Sequence, residues 1–486
     1  MSLIKSTIWL VSAEIIFTLS SYIINAGLGR MLGPADYGRY SIVIGFTTMI
    51  IIFVGRSVPT AMTKRLSEHP DDAGRVRAIV HTAAIIQGGI IALLTALFYF
   101  AAPLVARTFG DPSLAPLLRL STLIIPAFAL SSFHVLFFNG TKRFGAMTAL
   151  KMSRGVFRML WILGLAYAFH LNGALTGAIL APLCVFGVAL LIDAFWTPRA
   201  HTPGKHAPLL SLPYPPRKIL TYAGGFMLFT LFYEFYVRTD IYLIKAILGD
   251  DAATGLYNAA MTVALIPYYL LFAVTFMLFP TISTRTTAHG NHGATQIVTT
   301  ALRFVVILLV PSAVVLAFFA QPLVTLFFGA SFAPSATLVP LMLGGTVFGT
   351  LFFILAAVLN GAGYTRITAT ITALAIAVSI VTNIIFLPQF GIVATAATFS
   401  ATSFFMGFVS LIAAHHLFHA RIPRSTLVRV PVAALCMIAA AFALSHTGIF
   451  FIISIVVLLI LYVGILAGIG ELTSADIAHI TRKQNA

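Results

Sequence analysis

Long apolar runs alternate with short polar turns over almost the whole chain. Each run has about 20 residues or more, and a helix of that length crosses roughly 30 Å of hydrocarbon. Gly-Pro, Asp-Pro and Asn-Gly pairs, which favour turns, separate the runs. The pattern predicts an all-α polytopic membrane protein with about 14 transmembrane helices. The expected spans are 7–29, 38–62, 80–105, 117–138, 146–169, 173–196, 219–246, 254–283, 297–326, 333–359, 365–387, 391–418, 428–446 and 448–470.

Two of the turns resemble each other, LGPADYGRY at 32–40 and LGDDAATGLY at 248–257. Three further pairs of similar turns follow in the same order along the chain. A nearly constant shift of 217 to 221 residues relates the members of the pairs Gly38/Gly255, Gly110/Gly329, Gly140/Gly361 and Gly173/Gly391. Four pairs in the same order indicate an internal duplication. Each repeat has six spans, and because six is an even number, both halves have the same orientation in the membrane.

The duplication predicts the domain organisation. We expect an N-terminal lobe of six spans at 1–198, a Pro-rich basic linker at 199–218 and a second six-helix lobe at 219–420. Residues 421–486 then hold two additional C-terminal helices outside the repeat.

The composition supports a membrane protein and argues against several other classes. Hydrophobic residues make up 59% of the chain and charged residues 9%, whereas soluble domains have about 25% charged residues.

The sequence has no Walker A motif, no GxGxxG after a strand and no CxxC. Cys184 and Cys436 both fall in apolar spans, so we expect no disulfide and no metal site. These observations predict a protein that is not an enzyme, with no catalytic residues and no cofactor.

The basic residues predict the orientation in the membrane. Lys and Arg outnumber Asp and Glu by 29 to 13, giving a net charge of +16. Of these cations 21 fall on the side of the termini and 5 on the other, which predicts cytoplasmic termini and explains the charge without nucleic acid. Lys151 and Arg154 are counted among the 21, and Arg158 is expected to reach the cytoplasmic interface.

Span 7 carries ionisable residues that are costly in hydrocarbon. Glu234, Arg238 and Lys245 lie on one helical face at i, i+4 and i+11, with Tyr233 adjacent. Asp240 points about 120° away from Glu234, as expected for a helix-packing or conformational-switch residue. Glu234, Arg238 and Asp240 together cost roughly 7–10 kcal/mol at the bilayer centre, more than the apolar residues of the span return. The face is therefore either a structural ion pair of Glu234 with Arg238 or the lining of a polar cavity.

Span 1 repeats this pattern in weaker form. Glu14, Thr18, Ser21 and Asn25 form a polar stripe, and span 2 contributes Arg56. Since spans 1 and 7 are repeat equivalents, we expect a substrate cavity at the interface of the two halves. The candidate cavity residues are Arg56, Arg238, Glu14, Glu234, Asn25, Tyr233 and Lys245.

Several stretches resemble one transporter family. LGPADYGRYSIVIGFTTMIIIFVGRSVPTAMTKRL resembles the start of the polysaccharide transporter family, the Wzx-type flippases of the multidrug/oligosaccharidyl-lipid/polysaccharide exporter superfamily. TDIYLIKAILGDDAATGLYNAAMTVALIPYYL is similar to its seventh and eighth spans, with Asp240 and a Leu-Gly…Gly-x-Tyr turn. LNGAGYTRITATITALAIAVSIVTNIIFLPQFGIVATAA resembles its spans 10 to 12, so the resemblance covers most of residues 1–420.

The resemblance implies a function. Two six-helix lobes would move an undecaprenyl-diphosphate-linked oligosaccharide across the bacterial cytoplasmic membrane by alternating access. Arg56 and Arg238 would bind the diphosphate, because the guanidinium fork suits its oxygens. Glu234 and Asp240 are candidates for ion coupling or a conformational switch, with H⁺ or Na⁺ as the ion. Polysaccharide assembly enzymes are candidate partners.

Three alternatives remain open. A lipid II flippase shares fourteen spans and cavity arginines and ranks second. A cation-coupled drug or metabolite exporter of the same superfamily shares the duplication but favours acids over arginines in its cavity. A membrane-embedded glycosyltransferase or acyltransferase would need clustered catalytic groups at one membrane face, and the sequence shows no such cluster.

Overall fold

The computed structural model describes residues 3–69, 72–196, 214–444 and 450–472. Within these ranges, the side chains of residues 3–11, 56, 196, 218, 220–231, 270, 272–294 and 296–297 lie outside the description.

The described residues form helices and no strands, so the all-α prediction is confirmed. A 3-10 segment, Ala330–Thr337, connects the ninth and tenth helices. The helices are α1 (Leu3–Glu68), α2 (Ala73–Thr108), α3 (Leu114–Ser121), α4 (Ile124–Gly140), α5 (Phe144–Trp196), α6 (Pro216–Leu248), α7 (Asp251–Ala264), α8 (Ile266–Phe318), α9 (Ala320–Phe328), α10 (Leu338–Gly361), α11 (Thr365–Phe390), α12 (Ile392–Phe418), α13 (Arg424–Ala443) and α14 (Phe450–Gly468).

Ten segments of the described chain are long and apolar enough to cross a membrane. Two of them, in α1 and α5, have 57 and 52 residues, or about 80 Å of helix, more than twice the hydrocarbon thickness. Each is broken midway by non-helical backbone, α1 at Gly33 and α5 at Phe169 and His170, and therefore holds two crossings. The protein is a multi-pass membrane protein, and the predicted spans fall on these helices and on α6 to α8.

The backbone contains the predicted duplication. Corresponding helices in the two halves end at residues with positive φ. The sequence positions of the two members of each pair differ by a nearly constant number of residues. The pairs are Gly33 (φ 71) with Gly249 (φ 67), Gly110 (φ 64) with Gly329 (φ 93), Lys142 (φ 58) with Gly363 (φ 92), and His170 (φ 50) with Gly391 (φ 60). Lys142 and His170 lie where the second half has glycine, so a positive φ recurs even where the residue type changes. His170, and not Gly173 as the sequence indicated, is the counterpart of Gly391 by this criterion.

The chain forms two compact units, Met1–Asn258 and Ala259–Ala486. In the first, α1 packs against α2, α4, α5 and α6. In the second, α8, α10 and α12 surround an apolar core that includes Leu302, Leu355 and Phe418, and α13 and α14 pack against α8. The predicted boundaries at 198 and 218 remain a prediction, and most of the predicted linker lies outside the described residues.

A backbone contact inside the first unit joins the two turns that define the duplication. A Cβ added at Gly38 would clash with the carbonyl oxygen of Asp251, and one added at Gly255 would clash with that of Pro34. Ser41 follows this contact in α1 and accepts a hydrogen bond from Asn258 Nδ2 at 2.8 Å. Glycine is therefore required at 38 and 255 for the close approach of α1 to α7.

A buried carboxylate, Glu471, joins α8 and α13 within the second unit. Glu471, 1% exposed, accepts hydrogen bonds from Arg303 of α8 (2.9 Å), Thr426 of α13 (2.6 Å) and Arg429 of α13 (3.2 Å). Burial acts to raise the pKa of Glu471, but the hydrogen bonds from Thr426, Arg303 and Arg429 outweigh it and hold the pKa below its usual value.

The first testable prediction concerns the glycine contact. Gly38→Ala and Gly255→Ala should each destabilise the protein by about 1–3 kcal/mol, because the added Cβ meets backbone atoms that cannot move independently. The thermal unfolding midpoint in detergent measures the effect. Gly164→Ala in α5 is the matched control, since its Cβ would meet nothing within 4 Å. Equal midpoints for Gly38→Ala and Gly164→Ala would contradict the contact.

The second prediction concerns Glu471. Glu471→Gln should cost about 1–3 kcal/mol at pH 7, because two guanidinium groups lose their charged acceptor. Since the folded-state pKa of Glu471 is depressed, its contribution is fully present above the usual value of 4.5 and is lost as pH falls through the folded pKa. The difference in unfolding midpoint between the two proteins should persist at pH 5 and shrink below pH 4.5. A difference that does not change with pH would rule out this contribution.

Candidate functional site

The charged face predicted for span 7 lies on α6 and faces α1. Glu234 Oε2 and Arg238 Nη2 are 3.7 Å apart at i, i+4, and both side chains are about three-quarters buried. Tyr242, one turn further, stacks on Phe46 of α1 with ring centroids 4.3 Å apart. Gly45 allows this approach, since a Cβ there would lie 3.0 Å from Tyr242 Oη and 3.6 Å from Arg238 Nη1.

Two donors on this face lack a hydrogen-bond partner among the described residues. They are Nε of Arg238 and the hydroxyl of Tyr242, and both atoms are buried. A buried unsatisfied donor costs about 1–3 kcal/mol, and more when the group is charged. Glu234 thus neutralises the charge of Arg238 but leaves Arg238 Nε and the Tyr242 hydroxyl without an acceptor among the described residues. These two donors suit an anionic or hydroxyl-rich ligand.

Asp240, the candidate switch residue, lies on the other side of α6. Its carboxylate is 4% exposed and accepts a 2.6 Å hydrogen bond from the hydroxyl of Tyr257, which is fully buried. Tyr257 belongs to the Leu-Gly…Gly-x-Tyr turn, so the two parts of that motif contact each other. This bond ties α6 to α7.

Lys245 is enclosed in an ion cluster. Its side chain is 2% exposed, and Nζ lies 2.6 Å from Asp251 Oδ1 and 3.0 Å from Asp111 Oδ2. Arg39 Nε completes the cluster at 2.8 Å from Asp251 Oδ2. Two cations and two carboxylates therefore join α1, α6, α7 and the turn before α3. The charge of Lys245 is compensated inside the protein, so the structure gives it a role in closing the turns.

The cluster holds Asp111 ionised. Burial acts to raise the pKa of its carboxyl, but hydrogen bonds from Ser113 and Lys245 and the charges of Lys245 and Arg39 outweigh it and lower the pKa below its usual value. Asp111 therefore contributes a carboxylate to the ion cluster at neutral pH.

The polar stripe of span 1 faces α5 and the second half of α1. Glu14 Oε1 lies 3.3 Å from Lys151 Nζ. Asn25 accepts a 2.8 Å hydrogen bond from the hydroxyl of Tyr37 and donates to the carbonyl of Ser21. Tyr233 is partly buried on α6. Arg56 lies on α1, but its side chain is outside the described residues.

Sequence reasoning missed a second set of cations, on α5. Lys151 and Arg154 were assigned to the cytoplasmic side, and Arg158 to its interface. All three lie on α5 inside the expected span 146–169, and the structure adds their partners: Arg154 Nη2 donates to Ser132 Oγ (3.2 Å) and Arg158 Nη1 donates to Ser21 Oγ (3.3 Å). Their spacing of i, i+3, i+7 within an apolar span was the available signal.

No cluster of three or more His, Cys, Asp or Glu suited to a metal occurs in the described part of the chain. The described side chains of the site supply cations, hydroxyls and amides. Such a set can bind an anionic or polyhydroxylated group.

Comparison with known proteins agrees with these features. Residues 3–286 match the family described as polysaccharide biosynthesis protein. The Lipid III flippase of Escherichia coli (strain K12) is 24% identical over 197 residues, which is 40% of this chain and 47% of that protein. The chain thus spans about half the length of this curated relative. The uncharacterized membrane protein YabM of Bacillus subtilis (strain 168) is 24% identical over 417 residues, 81% of this chain and 77% of that one.

Solved structures share the fold. The lipid II flippase MurJ in an inward closed conformation superposes with a TM-score of 0.74 at 15% identity, covering 95% of this chain and 98% of that one. An inward-facing multidrug resistance MATE family transporter gives 0.65 at 12% identity, covering 84% and 98%. The chain belongs to the polysaccharide biosynthesis protein family, and it is a multi-pass membrane protein that shares the fold of these solved structures.

Proposed function

We propose that the protein is a flippase that moves an undecaprenyl-diphosphate-linked oligosaccharide across the bacterial cytoplasmic membrane for polysaccharide export. The observation that carries this proposal is the guanidinium of Arg238, which lies on α6, the helix of the predicted span 7, with its Nε unpartnered among the described residues. An arginine at the centre of a membrane helix costs about 2.5–3.5 kcal/mol, and a transported anion would offset that cost.

The chemistry of the α6 face fits such a substrate. A diphosphate offers oxygens that match the planar donor fork of Arg238, and Glu234 is placed to accept hydrogen bonds from sugar hydroxyls. The hydroxyl of Tyr242, which has no partner in the described part of the chain, adds a neutral donor beside the guanidinium. Because Glu234 holds Arg238 at 3.7 Å, the cation is positioned but not fully engaged before substrate binds.

Alternating access requires a barrier that opens and closes, and we infer that the contacts between the turns at 32–40 and 248–257 are part of it. They comprise the Gly38/Gly255 contact, the ion cluster and the hydrogen bond between Ser41 and Asn258. The positive-inside pattern assigns these turns to the outer side of the membrane. Their separation would release the glycan outward, and the bond between Asp240 and Tyr257 would keep α6 and α7 moving together.

The third prediction tests Arg238 in cells. Arg238→Ala should reduce glycan export by about 10- to 100-fold, the loss expected for one charge-assisted hydrogen bond to the substrate. Arg238→Lys should be intermediate, because an ammonium keeps the charge but loses the fork. Surface glycan and accumulated lipid-linked oligosaccharide are measured at equal protein levels. Arg366→Ala, at an exposed position on α11, is the control. Full export by Arg238→Ala would rule out the proposed site.

The fourth prediction tests the barrier by a reversible cross-link. Ser41→Cys combined with Asn258→Cys, in a chain carrying Cys184→Ser and Cys436→Ser, should be cross-linked by a short bis-methanethiosulfonate reagent, because the native side-chain atoms are 2.8 Å apart. The reagent should stop transport and a reductant should restore it, whereas the chain without cysteines should not respond. Continued transport by the cross-linked protein would show that α1 and α7 do not separate.

A lipid II flippase is the second candidate, favoured by the fold shared with MurJ over 95% of the chain. Depletion of the protein from its own cells separates the two. Loss of surface polysaccharide with intact cells supports the proposed substrate. Lysis under turgor, with lipid II accumulating, would favour the second candidate.

A further inference from the structure

Three cations project from one face of α5 toward α1 and α4. Lys151, Arg154 and Arg158 are spaced at i, i+3 and i+7. At 1.5 Å per residue from the helix start at Phe144, Arg154 lies about 15 Å and Arg158 about 21 Å along the helix. Both are therefore near the middle of the first half of α5, which ends at the break at Phe169 and His170.

The surroundings of these cations are polar but provide little negative charge. Lys151 pairs with Glu14 at 3.3 Å, and Arg154 bonds to the hydroxyls of Ser131 and Ser132 at 3.4 and 3.2 Å. In sequence, Glu14 is the one acidic residue among the segments 3–35, 124–140 and 144–168, which form this part of the unit. Three cations and one acid leave a formal charge of +2 in the membrane.

The guanidinium of Arg154 is held in place with a donor available. Its Cζ lies 4.8 Å from the ring centroid of Phe128, a cation–π contact, and two serines fix one edge. Its Nε is buried and has no hydrogen-bond partner among the described residues. The charged groups that act on Arg154 are Arg158, which repels it, and Glu14. A cation fixed in this way is preorganised for an anion.

The duplication provides an internal control for a purely structural role. The positive-φ pairs Lys142/Gly363 and His170/Gly391 fix a shift of 221 residues between α5 and α11. At this shift, the second half has neutral residues at all three cation positions and phenylalanine at both serine positions. The second-half residues are Thr372, Ala375 and Ser379 on α11 and Phe352 and Phe353 on α10, all but Phe353 buried. The repeat fold packs these positions without charge, so the cations are not required by the architecture.

An apolar depression lies further along the same helix. Its volume is about 290 Å³, and Phe157, Leu160, Trp161, Gly164 and Leu165 line it. Trp161 and Leu165 follow Arg154 at i+7 and i+11, which puts them on the same helical face. Hydrocarbon could lie there while a charged group contacts Arg154.

We propose that Lys151, Arg154 and Arg158 form a binding site for a phosphate-bearing lipid head group, with the depression further along α5 receiving part of its chain. The assignment rests on the proposed function in that it locates a site for the substrate diphosphate in the first unit, separate from the α6 face. The phosphate could come from a polyprenyl diphosphate or from an anionic phospholipid, and Glu14 competes with it for Lys151.

The experiment measures binding of radiolabelled farnesyl diphosphate to the purified full chain in phosphatidylcholine nanodiscs. Wild-type protein should bind it and should not bind farnesol, which lacks the phosphates. Arg154→Ala should weaken binding on the order of tenfold. The triple change Lys151→Thr, Arg154→Ala, Arg158→Ser inserts the residues of the second half and should abolish binding. Arg366→Ala on exposed α11 should bind as wild type does.

Glu14→Gln separates ligand binding from structural pairing. It keeps all three cations and removes the competing carboxylate, so farnesyl diphosphate should bind several-fold more tightly. The Glu14→Gln variant also tests the site if the triple variant does not accumulate in cells. A thermal midpoint measured with and without farnesyl diphosphate reports on the folded fraction, because a ligand raises the midpoint of the state that binds it.

The outcomes discriminate clearly. Replacing half of the phosphatidylcholine with phosphatidylglycerol identifies the source. Displacement of farnesyl diphosphate assigns the site to anionic phospholipid, and undiminished binding assigns it to the polyprenyl diphosphate. Equal binding by wild type, Arg154→Ala and Glu14→Gln would overturn the site, while glycan export dependent on Arg238 would still support the proposed function. Normal binding changes in a protein that exports no glycan would overturn the proposed function alone.

Discussion

The rest of the structure depends on one constraint, that charge placed among membrane helices must be neutralised or given hydrogen bonds. Each central charge costs a few kcal/mol in hydrocarbon, so such residues persist only with partners or with a use. Lys245 meets the constraint with two carboxylates, and Asp240 meets it in part with the hydroxyl of Tyr257. Arg238 and Arg154 have partners for some of their donors, and each keeps a buried Nε without a partner in the described chain. The fully paired groups close turns and join helices, whereas the incompletely paired guanidiniums are suited to bind an anion.

The duplication separates what the fold needs from what function adds. Corresponding helices of the two halves end at the same positive-φ positions, even where lysine or histidine replaces glycine. The positive φ at helix ends is thus repeated while side-chain chemistry is not. The α5 cations have neutral counterparts on α11, and the serines that hold Arg154 have phenylalanine counterparts on α10. A duplicated scaffold therefore carries an asymmetric distribution of charge.

Close packing at glycine and ionic pairing act together at the turns that mark the duplication. Gly38 and Gly255 let two backbones meet, and that approach brings Arg39 within 2.8 Å of Asp251 and Ser41 within 2.8 Å of Asn258. Neither effect would suffice alone, since an ion pair at a partly exposed turn is worth little unless geometry is fixed. The second unit uses a different device, in which one buried carboxylate, Glu471, collects donors from α8 and α13.

The sequence by itself determined the helical membrane architecture, the parallel duplication and the family, because apolar length and turn residues are local properties that hydrocarbon enforces directly. It also identified Glu234 with Arg238 as a pair on one face, since i, i+4 spacing is fixed by the helix. Only the tertiary structure decided the partners between helices. It set Glu14 against Lys151, enclosed Lys245 between Asp111 and Asp251, and brought Arg154 to two serines of α4. Residue spacing defines the face of one helix but not the helix that it meets, and whether a charge is compensated depends on that second helix.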